Sequence, residues 1–267
     1  MKITWVTDIH LNFLRTSDIT DLCASIVAGE PDIVLIAGDI AEAPTLARYL
    51  TLLEQQLPYP VYFVLGNHDY YHGSVASTRS EVKLLMAQSE RLQYLALSGV
   101  VSLSANTALI GHDSWGDGRY GDYANSTVLL NDYRLISELR GLDADTRLTK
   151  LNALGDESAA HFKRYLPEAL ATHEEVVLLT HVPPFQEAAW HEGKTSDDNF
   201  APHFSCKAVG DVLVEIMSQP QYHDKTLTVL CGHTHGAGVC QKLPNLKVIT
   251  GEAVYRHPQV QSPIYMD

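Results

Sequence analysis

The stretch Asp32-Ile33-Val34-Leu35-Ile36-Ala37-Gly38-Asp39 decides the fold. An unbroken apolar run rich in β-branched residues predicts a buried strand over Asp32–Ala37, and the Gly-Asp that ends it places a carboxylate where the strand stops. Upstream, Lys2–Thr7 reads as a strand, and Thr16 or Ser17 caps a helix running to about Gly29. Downstream, Pro44 suits a first helical position, the helix runs to about Gln56, the strand Val61–Leu65 follows, and a helix extends from Ser74 to about Arg91. This alternation predicts a mostly parallel sheet with helices outside it.

Beyond Arg91 the rhythm changes. Tyr94–Leu97, Val100–Leu103 and Thr107–Ile110 read as short strands of a meander, forming a second sheet or an antiparallel margin. The Gly- and Asp-rich run GHDSWGDGRYGDY, residues 111–123, reads as a long surface loop. A helical stretch over about Asp143–Ala171, with breaks near Gly155 and Pro167, precedes the strand Glu175–Thr180. A second long loop spans Pro183–Phe204, and loops of that length in compact domains are usually functional or disordered. A helix near Lys207–Ser218, the strand Leu227–Cys231 and two or three terminal strands complete the chain. With 267 residues, 45% of them hydrophobic, and no break in composition, one domain over residues 1–267 is expected, with active-site loops at about 111–125 and 183–204.

The formal net charge of −13 argues against a long nucleic-acid partner, whose binding draws on Lys and Arg. The four cysteines show no CxxC spacing and are expected to be reduced and structural. The N-terminal MKITWVTDIH passes directly into a strand, so no cleaved leader is expected, and no apolar run approaches the roughly 18 residues of a membrane span. A cytoplasmic protein with no membrane partner is the expectation.

Five short blocks close strands far apart in the chain: TDIH (7–10), GD (38–39), GNHD (66–69), His181 in LLTHVPP, and GHTH (232–235). Any one of them fits a turn or a cap. Together they offer carboxylates, imidazoles and one amide, the donors of hard or borderline divalent cations. In extended backbone, residues i and i+2 face the same way, so Asp8 with His10, and His233 with His235, are each expected to reach one point. Glycine before Asp39, Asn67 and His233 lets the chain turn and approach an ion closely. Strand carboxyl ends are where open α/β sheets collect ligands.

The series DxH, GD, GNHD, H, GHTH, spread from Asp8 to His235, resembles the calcineurin-like metallophosphoesterase superfamily, with all five blocks in the family's order. The resemblance implies an α/β fold of two mixed β-sheets packed as a sandwich flanked by helices, four layers deep. It implies one divalent ion on Asp8, His10, Asp39 and His235, and a second on Asp39, Asn67, His181 and His233, with Asp39 bridging. Manganese is the first expectation for both, with iron, zinc, nickel and cobalt as alternatives. A water activated between the ions would attack a phosphate ester in line, and His68 would protonate the leaving oxygen with Asp69 orienting its ring.

The departures from Ser/Thr protein phosphatases, GDIAEAP after the second strand and GNHD rather than GNHE, point to the small phosphodiesterase branch of that superfamily. A small phosphodiester is the first expectation. A phosphomonoesterase or nucleotide pyrophosphohydrolase is the alternative, and a non-catalytic metal-binding scaffold fits less well because His68 and every ligand position are retained. His112, Trp115, Arg119 and Tyr120 are candidates for substrate contact, Arg119 gripping phosphate and the rings stacking a base. Trp190 and His191 are further candidates in the second loop.

Overall fold

The computed structural model describes residues 1–267. Five strands form the first sheet: β1 (Lys2–Val6), β2 (Ile33–Ala37), β3 (Val61–Val64) and β4 (Leu92–Tyr94) run parallel, and the C-terminal strand β13 (Ile264–Tyr265) pairs antiparallel on β1, Ile264 opposite Ile3. The second sheet has the order β11-β12-β10-β7-β6-β5, from β5 (Val101–Ser102), β6 (Thr107–His112), β7 (Glu175–Thr180), β10 (Thr226–Cys231), β11 (Gly238–Leu243) and β12 (Leu246–Thr250). Its four central strands are parallel, and β5 and β11 are antiparallel margins. A ribbon of β8 (Trp190–His191) and β9 (Lys194–Thr195) stands apart.

Both faces of the central strands are apolar, and the period of two sorts them. Ile3 and Trp5 of β1, Leu35 of β2, and Val177 and Leu179 of β7 fill the layer between the sheets. Val6, Val34 and Ile36 face out, against α1 (Thr16–Ala28), α2 (Ala43–Gln56) and α3 (Val75–Met86), where they meet Ile26, Leu50 and Val82. On the opposite side, beyond the short α4 (Asp132–Leu135), helix α5 (Ala144–Thr172) packs on the second sheet. It is joined there, after the short α6 (Ala201–Phe204), by α7 (Lys207–Met217). Phe162, Leu166 and Leu213 are fully buried in that layer, and each such side chain stabilises the fold by about 1.5–3 kcal/mol. The result is the expected four-layer αββα sandwich of two mixed sheets.

Four local expectations are corrected. The meander is not one unit: β4 extends the first sheet in parallel, Leu95–Leu97 is a short 3-10 turn, and β6 is a parallel core strand of the second sheet. Helix α5 is continuous through Gly155 and Pro167; a side chain at 155 would press on Asp117 Cβ at 2.6 Å, so glycine there serves packing rather than a break. Helix α1 is opened by Arg15, whose main-chain N–H donates to Asp18, and not by Thr16 or Ser17.

The start of the 111–123 run is not at the surface. Asp113 is fully buried and accepts from Leu65 N, Tyr70 and Tyr94 hydroxyls and Arg79. Asp117, also fully buried, accepts from Lys207 N and Ala208 N at the start of α7. Acidic residues that look like loop solvation in sequence are here the acceptors that join elements. No helix is long and apolar enough to cross a membrane.

Candidate metal centre

Each predicted ligand follows the carboxyl end of a parallel strand: Asp8 and His10 after β1, Asp39 after β2, Asn67 after β3, His181 after β7, His233 and His235 after β10. The expectation that Asp8/His10 and His233/His235 converge from extended backbone is not met. Asp8, His10, Asp39, His233 and His235 all have left-handed backbone, with φ of 50°, 41°, 51°, 70° and 59°. A non-glycine residue held there costs of order 1–3 kcal/mol and persists where surroundings over-determine it. The surroundings here are the other loops. Asp8 accepts the main-chain N–H of His233 at 3.0 Å, Asp39 accepts that of His68 at 2.9 Å, and Gly232 N–H donates to the His181 carbonyl at 2.9 Å. A Cβ on Gly66 would collide with the Asp39 carboxylate, and one on Gly232 with Thr7 and Asp8. Glycine at these positions is thus required by close approach to the carboxylates.

The side chains gather in two groups that share Asp39. In one, His235 Nε2 lies 3.4 Å from Asp8 Oδ1 and 3.4 Å from His10 Nε2. In the other, Asn67 Oδ1 lies 3.1 Å from His181 Nε2 and 3.0 Å from His233 Nδ1. Asp39 turns Oδ1 to the second group, 3.3 Å from His181 Nε2, and Oδ2 to the first, 3.8 Å from His10 Nε2. Donors held about 2.1 Å from one cation at angles of about 90–109° are about 3.0–3.4 Å apart, which is the spacing seen within each group.

Tautomers sharpen the fit. His181 Nδ1–H donates to the Ala37 carbonyl at 2.8 Å, and His233 Nε2–H donates to the His203 carbonyl at 3.1 Å. Asn67 Nδ2 donates to Asp132 at 2.8 Å and to the Tyr71 hydroxyl at 3.2 Å, which turns its oxygen the other way. One amide oxygen and two imidazole lone pairs therefore converge with no proton among them. Such an arrangement is repulsive until a cation sits between the donors, and the outer hydrogen bonds are those that orient metal-bound imidazoles.

Electrostatics agree. Asp8, Asp39 and Asp132 are buried, yet no Lys or Arg pairs with any of them. Burial, then the neighbouring Asp8 charge, pushes the Asp39 carboxyl well above its usual range. Burial opposes ionisation of Asp8 as well, but the His235 hydrogen bond and nearby imidazoles outweigh it and hold Asp8 well below the carboxylate range. Burial drives His10 and His233 down to about 3, so both rings are neutral, the form that ligates. Buried carboxylates without a basic partner call for positive charge from elsewhere, and this donor set is of the type that binds divalent ions.

His68 lies at the cleft, its side chain 14% exposed and Nε2 4.0 Å from Asp39 Oδ2, with the ring stacked on Tyr71 at 4.2 Å. Burial, then His10, lowers it to about 2. The expected support from Asp69 is absent. Asp69 is fully buried and accepts main-chain N–H groups of Ile40 and Ala41 on one oxygen and of Gly66 on the other. It ties the loop after β2 to the loop after β3, and nothing is bonded to His68 Nδ1.

The four predicted substrate contacts are also displaced from the cleft. His112 is buried against α5, 3.8 Å from Glu157 and 4.9 Å from the His161 ring. Trp115 is buried against Tyr70. Arg119 is held by Asp117 and Asp156, and Tyr120 lies near Lys207. The cleft, about 320 Å³, is walled instead by Tyr71, Leu129, Asn131, His191, Phe204 and Tyr255. His191 and Phe204 belong to the 183–204 loop; Tyr71, Leu129, Asn131 and Tyr255 come from segments that carry no motif. Asp132, which orients Asn67, was equally silent in the sequence.

Comparison with known proteins places this geometry. An uncharacterized metallophosphoesterase from Campylobacter jejuni is 29% identical over 113 residues, 39% of this chain and 30% of that protein. The aligned part is therefore less than a third of that relative's length. Among solved structures, a phosphopantetheinyl hydrolase from Mycobacterium tuberculosis superposes with a TM-score of 0.67 at 14% identity, covering 97% of this chain and 95% of the other. A dimetal phosphatase from Danio rerio gives 0.59 at 17% identity, covering 94% and 87%. At such identities these two likenesses establish the shared fold. Residues 1–237 match the family described as calcineurin-like phosphoesterase, and so the chain belongs to that family of metal-dependent phosphoesterases.

Proposed function

We propose that this chain hydrolyses a small phosphodiester with the help of two divalent cations. Asp8, His10, Asp39 and His235 would hold one and Asp39, Asn67, His181 and His233 the other. The observation that carries the reading is the convergence of unprotonated donors on Asn67 Oδ1 beside an Asp39 carboxylate with one oxygen toward each group. When bound, such ions supply Lewis-acid charge to phosphoryl oxygen and make water a stronger nucleophile. The donor types suit manganese, iron, zinc, nickel or cobalt comparably.

The residues divide the remaining work. Asn67, fixed by Asp132 and Tyr71, is a neutral donor that limits negative charge where an anionic ester must approach. Asp69 holds two of the ligand loops together through main-chain N–H groups. His68 Nε2 faces the cleft and is the group placed to pass a proton to the leaving oxygen. In the reaction, water oxygen bonds to phosphorus, the P–O bond to one arm breaks, that arm departs as an alcohol carrying the proton, and a phosphomonoester remains. The preference for a diester is supported by charge: the walls of the cleft include no Lys or Arg, so nothing beyond the cations awaits the second charge of a monoester.

The experiment is release of p-nitrophenolate by manganese-loaded protein from bis(p-nitrophenyl) phosphate and from the mono-ester. A kcat/KM at least tenfold higher for the diester is expected. A monoester preference would overturn the diester reading, and inertness toward both would overturn hydrolysis.

A further inference from the structure

We infer that the arms of the substrate are uncharged and that at least one is flat or apolar, so that the reacting phosphoryl group is the sole anionic group the cleft accepts. This rests on the phosphoesterase reading above and narrows it to a substrate class.

Two independent features of the cleft carry the inference. The first is the absence of Lys and Arg from its walls, where Asp39 is the sole ionised acid and the remaining lining is neutral or imidazole. Arginines elsewhere are already committed, Arg79 to Asp113 and Glu157, and Arg119 to Asp117 and Asp156. Two cations serve one phosphoryl group. A second phosphate on either arm, as in a pyrophosphate or an oligonucleotide, would lie against Leu129, Tyr71 or Tyr255 and lose hydration with no partner to replace it.

The second feature is where apolar surface is left in water. Leu129 is 80% exposed and Tyr255 47%, and both line the cleft. Phe13, 41% exposed, packs edge-on to Tyr255 with 5.8 Å between ring centres. The Tyr255 ring stands 4.6 Å from that of His10 and 4.8 Å from that of His235, directly beside the ligand cluster. Opposite it, Tyr71 is stacked on His68, and its hydroxyl is pinned by Asp132 at 2.7 Å, so its ring is a fixed surface. Exposed side chains of this kind gathered at the mouth of one site mark a place where an apolar ligand is covered, and flat rings favour an aromatic partner in offset or edge contact. At about 320 Å³, the cleft is at the small end of ligand sites, sized for a phosphoryl group and one such arm.

The test uses one leaving group and varies the other arm, on manganese-loaded protein. Relative to uncatalysed rates, kcat/KM for phenyl p-nitrophenyl phosphate should exceed that for methyl p-nitrophenyl phosphate at least tenfold. Adding a 3′-phosphate to the p-nitrophenyl ester of thymidine 5′-phosphate should lower kcat/KM at least tenfold, chiefly through KM. In the Leu129→Ala/Tyr255→Ala double variant, altered at two exposed positions, the phenyl-to-methyl ratio should fall at least fivefold. Calorimetric binding of phenylphosphonate should be at least tenfold tighter than that of methylphosphonate, and the double variant should lose that margin. Equal handling of phenyl and methyl arms, or a gain from the 3′-phosphate, would overturn the inference while leaving hydrolysis intact. Release of nitrophenolate from none of the esters would instead overturn the phosphoesterase reading, with the phosphonate pair still deciding the selectivity of the cleft.

Discussion

At Asp39, a buried carboxyl pushed well above its usual range by burial and by the Asp8 charge offers one oxygen to each group of ligands. Ionisation there is unfavourable until cations arrive, so metal uptake should release a proton from this side chain. Asp39→Asn keeps the shape but removes the charge that two cations would share. Turnover should fall by about 10²- to 10³-fold or more, and bound manganese, counted by elemental analysis, should drop below two per chain. A variant holding two ions at normal rate would end the bridging assignment. The ligands were legible at this scale because each sits beside a glycine or a second ligand in a short motif. Asp69 was misread for the same reason. Adjacency to His68 suggested a contact, whereas the 3-10 turn at His68–Tyr70 points the carboxylate back to Ile40, Ala41 and Gly66.

Strand ends, rather than whole strands, set the geometry of the ligands, and the loops that leave them are locked to one another. The loop after β3 shows how tightly: a methyl group on Gly66 would meet the Asp39 carboxylate, and also His181 Cε1 at 2.7 Å. Gly66→Ala is therefore expected to leave the sandwich folded, with an unchanged far-ultraviolet dichroism spectrum, and to weaken manganese affinity about 10- to 100-fold, the range seen when the support of ligands is disturbed. Titration calorimetry reads it directly, and wild-type affinity would show that the loop can give way. Strands and long helices were legible as elements because apolar period and length report burial of a face. The segment from Gly111 was not, since Gly and Asp look the same whether they meet water or, as Asp113 and Asp117 do, buried N–H and hydroxyl donors. The cleft wall was not legible either. Tyr71, Leu129 and Tyr255 lie in irregular segments whose meeting depends on the packing of both sheets.

For the molecule as a whole, two sheets stack so that the carboxyl ends of β1, β2, β3, β7 and β10 open at one edge, and the buried acids Asp8, Asp39 and Asp132 concentrate there in a chain of net charge −13. Without cations this edge is a region of uncompensated charge, protonated carboxyl groups and strained left-handed backbone. With them, the same loops become ligands, and binding to the folded state alone adds stability by mass action, about 2.7 kcal/mol at a concentration a hundredfold above Kd. For a domain of this size that corresponds to a rise of about 5–10 °C in Tm. Stripping with a chelator should therefore lower Tm by that amount in differential scanning calorimetry, and manganese should restore it. Asp39→Asn should show a smaller difference between stripped and loaded forms, because a shared ligand is missing from both groups. An unchanged Tm on chelation and reloading, in protein that elemental analysis shows to have lost and regained its metal, would mean that the ligand edge is already stable by itself, and the electrostatic account of the site would fail even if hydrolysis were observed.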